Sequence, residues 1–469
     1  MFKSFAVILA ALSLFAVSCS RTAGGGVQPE LQPDGVRDAS AETLPPELPA
    51  EFLALPELYS APEDSLKRRA ALYLLGSLPE QWHYDAEYFD STGFRKKVMD
   101  YEVITPEYLA ENIEYAFRAW ELPWCRYLDF DAFCRLILPY KMADEEPMWW
   151  RRRLWEEYAW VREKAGSTTS ATVPCRLVND YVNGWFVINW DDPYPLDMNY
   201  DMALRLREGA CYGASTMILY PLRALGVPAV IDGVPRWVNR SGAHYWNAVY
   251  DNGSMGTFNG PDRNPGVHKV QFVGVGRMLF KMPKVWRRDY REGRVDVTAE
   301  YIPVCDVTLR RVPRRFAGVC LASFDNRSWQ PVAEAPVSGG KAVFEDMARD
   351  VVYLPVSAAE DGLHYVVSYP LLVREDGSYR LLKPGLLRRE TVRLVAKYPE
   401  DDSNRIFPGQ RYELFYWDGK WKSLGQQVAQ HDYLEYRHVP KGALLWLRNL
   451  DEGVQERIFI YEGGRQIWY

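Results

Sequence analysis

Apolar and polar positions change period along this chain, and the changes divide it. From Glu51 to about Ala165 apolar residues recur at three- and four-residue spacing, the period of helices packed on one face. Ala70 to Leu75 opens one predicted helix. Tyr108 to Phe117 reads as a second. Trp149 to Lys164 reads as a third, with Trp150, Leu154, Tyr158 and Trp160 among its apolar and aromatic positions. The run Arg151, Arg152, Arg153 on that helix is expected to form a solvated face. From about Ser167 to Trp286 short helical and strand-like signals alternate. From about Val295 onward the pattern is almost wholly β. Val304–Leu309, Thr391–Val395, Tyr412–Trp417, Leu444–Leu447 and Ile458–Tyr461 are strand-like. Asp418-Gly419 is a hairpin turn signal. Short strands at regular spacing suggest two β-sandwiches, dividing near Gly385.

The two ends of the first fifty residues differ from the rest. Lys3 is followed by an apolar run from Phe5 to Val17, too short to span a bilayer as a helix. Small residues then lead into Cys19, which reads as a secretory leader. Residues 20–50 hold Gly24, Gly25, Gly26 and several prolines, the composition of a flexible tether. The expected organisation is α+β: a leader over 1–19, a tether over 20–50, a helical domain over 51–166, an α+β core over 167–294, and β-sandwich domains over 295–385 and 386–469.

Composition narrows function by exclusion. A net charge of −6 argues against nucleic-acid partners, which call for a basic excess. Beyond Cys19, six cysteines are scattered without a CxxC pair, so zinc-ribbon and thioredoxin motifs are absent and no disulfide framework is expected. Asp306, Asp325 and Asp418 lack the spacing of a calcium loop. No metal and no cofactor is expected. The 14% aromatic content is expected to fill cores and sheet faces, with stacking surfaces for sugars or peptides as the alternative.

Candidate chemistry gathers in the middle third. Gly209-Ala210-Cys211 precedes a helical run through Met217, Leu222 and Leu225, which Gly226 and Pro228 end. Cys211 therefore falls at a helix start, where the dipole and free N–H groups favour a thiolate and are expected to lower its pKa. Pro221 should kink this helix. Of the six histidines, His244 lies in the strand pattern Ala243 to Tyr250, which runs into Asp251-Asn252-Gly253, a type I′ hairpin signal. A two-residue loop pairs Asp251 with Ser254 and Trp246 with Asn259. His244 and Trp246 share a face, and Asn259 falls diagonal to His244, with Cβ atoms roughly 7–8 Å apart. Asp262 falls on the opposite face. A three-residue loop would exchange the two, so Asn259 and Asp262 both stand as candidate orienting groups, with Asn259 favoured. Trp237, Tyr245 and Trp246 are candidate substrate-groove residues.

Several elements occur here in a familiar order: Gly209-Ala210-Cys211, then Arg223-Ala224-Leu225-Gly226-Val227-Pro228, then His244-Tyr245-Trp246, then Asn259. Over roughly residues 170–290 this resembles the transglutaminase-like superfamily, of the papain-like fold group. Asn259 departs from the family's usual Asp. The resemblance implies a thiol hydrolase or acyl transferase acting on peptide, glycopeptide or wall-peptide amides. In it Cys211 is the nucleophile, His244 the base and Asn259 the orienting group. The alternative is an inactive scaffold that binds glycans or peptides. The sequence ending in Cys19 resembles the lipobox of bacterial lipoproteins, which implies lipidation at Cys19 and membrane anchoring at the cell envelope.

Overall fold

A computed structural model of the chain describes residues 48–89, 95–189, 197–240, 242–266, 280–358, 364–396, 405–452 and 456–469. The leader, Cys19 and the tether up to residue 47 lie outside the described residues, as does His268.

Helices dominate the first described stretch. Ser65–Ser77 and Pro106–Trp120 are its long helices. The second begins where Thr105 accepts a hydrogen bond from the Tyr108 N–H and Pro106 takes the first helical position, where its missing N–H costs nothing. It buries Tyr108, Leu109, Asn112, Ile113, Ala116 and Ala119, one face of a 3.6-residue period. Between the two helices lies a hairpin, Trp82–Phe89 paired with Arg95–Met99, which the helical reading of this region does not contain. The helix expected over 149–164 is two, Arg151–Glu157 and Ala159–Ala165, parted at Tyr158. Nor are its three arginines one solvated face. Arg151 is buried, with Nε donating to Asn112 Oδ1 (2.7 Å) and Nη2 to the carbonyls of Ile137 (2.7 Å) and Pro139 (3.0 Å). The guanidinium thus supplies hydrogen bonds to buried carbonyls, sharing that of Pro139 with Arg223 (3.3 Å).

At the centre is a five-stranded antiparallel sheet. Its spatial order is Ser254–Phe258, His244–Asp251, Ala229–Val234, Trp286–Asp289, Gly293–Asp296. Ala229–Val234 is buried along its whole length because both faces of the sheet are covered. Ile231 and Val249 face a large apolar core that runs without interruption from Leu48 to Tyr290 and takes in the helices. Val234 and Trp246 face a smaller core with Trp237, Met282, Val285 and Val297. Polar bonds cross the large core as well: Trp124 Nε1 donates to the Leu225 carbonyl (2.8 Å) and Tyr290 Oη to that of Leu74 (3.1 Å).

Beyond Val304 the described chain is antiparallel β. Val304–Arg310 and Lys341–Ala348 pair as a ribbon, and share a core with a five-stranded sheet built on Gly318–Phe324 and Val351–Ser357. Those two strands are buried on both faces, since Cys320, Phe324, Val352 and Leu354 also pack against Trp417, Leu444 and Ile460 of the last strands. The remaining strands repeat the plan, with Gly385–Leu394 and Leu434–Lys441 facing a second five-stranded sheet across a core of Val392, Tyr412, Tyr436 and Phe459. The molecule is thus a mixture of helices and several antiparallel sheets.

Candidate functional site

Cys211 opens a helix, Cys211–Met217, after an extended Ala210 with ψ 176°. The helix does not run on to Leu225 with a bend at Pro221. It stops at Met217, and a second helix covers Leu219–Ala224. Pro221 has no N–H to give the Met217 carbonyl, and its ring crowds that same carbonyl, so the break falls four residues upstream of the proline. The second helix ends as the sequence implies. Gly226, at φ 65°, lets its own N–H reach the Arg223 carbonyl (3.2 Å) and the Val227 N–H reach that of Leu222 (2.9 Å). A side chain there would also strike the Ala119 carbonyl, since an added Cβ would lie 2.4 Å from its oxygen.

The histidine strand returns through Asn252 and Gly253, whose φ angles of 50° and 83° are those of the two-residue turn. Asp251 pairs with Ser254 and, four pairs on, Asn247 with Phe258, where the ladder ends; the expected pair of Trp246 with Asn259 does not continue it, and Asn259 bridges Arg263 instead. The pairing is the one expected for a two-residue loop. Asn247 joins strand to helix, its Nδ2 donating to the carbonyls of Ser215 (2.9 Å) and Val230 (3.2 Å). The Asp251 carboxylate accepts from the N–H groups of Ala171 (3.1 Å) and Thr172 (3.2 Å) and so fastens the strand's far end to the helix Thr172–Asn183.

His244, the first residue of the strand, is buried, and its imidazole hydrogen-bonds the Asn259 side chain. Burial, followed by the positive charge of Arg240, pushes the imidazole down to about 4, against the pull of Asn259. Asp262 is exposed and paired with Arg263 at 3.4 Å, on the surface. The half-buried Cys211 sulfur meets backbone N–H groups of Tyr245, Tyr212 and Cys211 itself. Two of those belong to the helix start. The third belongs to the strand residue next to His244, so the sulfur lies against the strand at the point where the imidazole begins it. Burial nevertheless pushes the thiol up, and the three N–H groups reduce that rise without reversing it. The downward shift expected of a helix start is therefore not what results: desolvation outweighs the pull of a helix only seven residues long.

The three aromatic candidates part company. Trp237 and Trp246 are buried, 2% and 1% exposed, in one small core beside His244, with ring centroids 6.2 Å and 6.0 Å from the imidazole. Trp246 Nε1 donates to Tyr301 Oη (3.1 Å), and Tyr301 donates in turn to Asp232, which Arg287 also clamps with two hydrogen bonds of 2.8 and 2.7 Å. They form the packed floor under the imidazole. Tyr245 lies on the other face of the strand, half-buried, its ring 4.4 Å from that of Tyr212 and close to the thiol. Gly233, paired with Tyr245 across the strands, leaves the space the Tyr245 ring occupies: an added Cβ would come within 2.4 Å of it.

Tyr212, Arg240, Asp232, Arg287 and Tyr301 are the neighbours that sequence reasoning missed. Only Tyr212, beside Cys211, carried a local signal. The others reach the site by strand pairing and loop packing that no short motif encodes.

At neutral pH the thiol and the imidazole are both uncharged, which leaves the ring in the base form that general-base chemistry requires. Among the described residues, the six cysteines from Cys125 to Cys320 form no disulfide. Among the described residues no group of three or more His, Cys, Asp or Glu is placed to hold a metal ion, and no helix is long and apolar enough to cross a membrane.

No protein-family profile and no curated protein matches the chain. Among solved structures it is similar to that of a candidate cysteine protease from Cytophaga hutchinsonii, at 12% identity over 50% of this chain and 59% of that one, with a TM-score of 0.23. It is similar also to red sea bream transglutaminase, at 11% identity over 84% of this chain and 77% of that one, again with a TM-score of 0.23. The chain thus spans 59% of the length of the first of these proteins.

Proposed function

We propose that Cys211, His244 and Asn259 carry out thiol acyl transfer of the transglutaminase-like kind on an amide of a peptide, glycopeptide or wall peptide. The observation that carries this reading is the meeting of helix start and strand start. The Cys211 sulfur lies at the Tyr245 N–H, one residue from an imidazole that is itself hydrogen-bonded to Asn259. The sulfur attacks the amide carbonyl while His244 takes the thiol proton. That proton passes to the departing amine as the C–N bond breaks, leaving a thioester. Water resolves the thioester in a hydrolase and a second amine resolves it in a cross-linker. The N–H groups around the sulfur favour negative charge there as the thiol gives up its proton. Lipidation at Cys19 would hold this chemistry at the cell envelope.

The test is alkylation by iodoacetamide at near-neutral pH, read by mass spectrometry, together with a peptide-amide library. Fast, selective modification of Cys211, slowed by His244→Ala, and turnover lost in Cys211→Ala are the expected results. A thiol no more reactive than Cys305 overturns the proposal. One observation favours a second reading, a binding scaffold without catalysis: burial holds both the thiol and the imidazole uncharged. An inert Cys211 in a chain that still binds peptide or glycan would establish it. Incorporation of a clickable fatty acid, abolished by Cys19→Ala, tests the anchor separately.

A further inference from the structure

The strand Gly385–Leu394 carries an irregularity with a chemistry of its own. Gly385 pairs with Lys441 and Arg389 with Pro440, so Leu386, Leu387 and Arg388 are extruded between adjacent pairs. The extruded residues are held in place. The Leu386 N–H donates to the Pro384 carbonyl (3.0 Å), Arg389 Nε to the Leu386 carbonyl (3.0 Å), and Arg389 Nη1 to the His438 carbonyl (2.9 Å). At the tip Leu386 is 45% exposed and Leu387 100%, the most exposed of the large apolar side chains among the described residues. An isolated surface leucine is ordinary, but two adjacent ones displayed on a pinned bulge are not explained by packing.

Charge singles out what would cover them. Lys383, Arg388, Arg389 and Lys441 surround the tip and are exposed, while Glu390 is the acid within the same turn and is half-buried. This concentration of positive charge stands on a chain whose net charge is −6. A convex apolar tip ringed by cations is the complement of a flat anionic surface with a hydrocarbon interior: the side chains of Leu386 and Leu387 enter the acyl boundary while the cations meet headgroup phosphates. Arg389 holds the bulge from within, which leaves Arg388, Lys383 and Lys441 to face the lipid. We infer that the Leu386–Leu387 bulge is a membrane-docking tip selective for anionic lipid. Thiol chemistry at Cys211 plays no part in it.

The experiment uses the full chain bearing Cys19→Ala, so that an acyl anchor does not supply the affinity, with phosphatidylcholine vesicles with and without phosphatidylglycerol. Two readouts are needed. Co-sedimentation is expected to require phosphatidylglycerol and to weaken with salt. Millisecond hydrogen exchange is expected to slow at residues 385–390 when those vesicles are added. Leu387→Asp, at a fully exposed position where folding is not at stake, should weaken partitioning by about tenfold or more, the worth of one leucine side chain withdrawn from an apolar phase. Arg388→Glu should abolish the preference for phosphatidylglycerol. Unchanged exchange at 385–390 overturns the inference, as does full binding by Leu387→Asp. Slowed exchange that appears without vesicles as protein concentration rises also overturns it, since a second copy would then be the occupant.

Discussion

Two buried histidines in this chain are held in opposite ways. His83 Nδ1 lies 2.8 Å from Asp100, whose carboxylate also accepts from Tyr140 Oη (2.6 Å) and Lys141 Nζ (2.8 Å), all inside the protein. His244 has the carboxamide of Asn259 as its partner and the charge of Arg240 nearby. Burial alone would lift the Asp100 carboxyl. The Lys141 charge, with donors from His83, Lys141 and Tyr140, more than reverses that and holds it below the usual carboxylate range. The Asp100 carboxylate therefore keeps its charge over the neutral range. His–Asp contact is the pairing usually sought in a catalytic site, yet here it occupies the scaffold, where a carboxylate braces a lysine. The proposed reacting imidazole has the weaker, uncharged partner, and its proton is correspondingly easier to move.

The contrast can be broken at several points. Asp100→Ala leaves the Lys141 ammonium buried without its counter-charge and should cost about 3–5 kcal/mol in urea unfolding. A loss below about 1 kcal/mol would remove the carboxylate from the scaffold.

Next in size is a pH effect at His244. Its folded pKa of about 4 lies below the unfolded value near 6.5. Between these values the unfolded chain binds the proton and the folded chain does not, so stability falls as pH drops from about 6.5 to about 4, by about 3 kcal/mol in total. His244→Gln should flatten that part of the curve. Asp100 contributes with a different window: its folded pKa is depressed, so its stabilisation is complete above the unfolded value near 4 and is lost as pH falls through the folded one. A slope between pH 4 and 6.5 that survives in His244→Gln would assign it elsewhere.

Asn259→Ala removes one hydrogen bond worth about 1–3 kcal/mol to a buried ring. Iodoacetamide labelling and turnover should slow roughly tenfold to hundredfold in consequence. Asp262→Asn should do least, within about 0.5 kcal/mol of stability and with labelling unchanged, because its side chain is in a surface ion pair. If Asp262→Asn slows labelling and Asn259→Ala does not, the two have been assigned the wrong way round.

What could be read from the sequence was what short-range chemistry determines. Asn252-Gly253 admits one tight turn, that turn fixes the pairing, and the pairing runs as far as Phe258, the residue before Asn259. Gly226 and the residues before it specify a helix end in the same local way. The strand pair at Trp82 is hard to read from sequence because no Asn-Gly falls between its strands and helices flank it. Arg151 resembles its two neighbours in sequence, and its acceptors, Asn112 and the carbonyls of Ile137 and Pro139, are brought beside it only by packing. The thiol was read from its helix start alone, whereas desolvation depends on everything packed around it. Tyr301 and Arg287 reach Asp232 across more than fifty residues of chain, a distance over which no spacing rule operates.

The uninterrupted core from Leu48 to Tyr290 bears on how such a site can be inherited. Leu219, Tyr220 and Leu222, on the helix that follows the cysteine helix, have part of their apolar cover in the upstream helices, and Trp124 completes the hydrogen bonding of the Leu225 carbonyl. A gene fragment limited to residues 167–294 would bring those surfaces into water and should yield insoluble protein. Recombination that moved the cysteine and histidine segments into another chain would have to carry the preceding hundred or so residues with them.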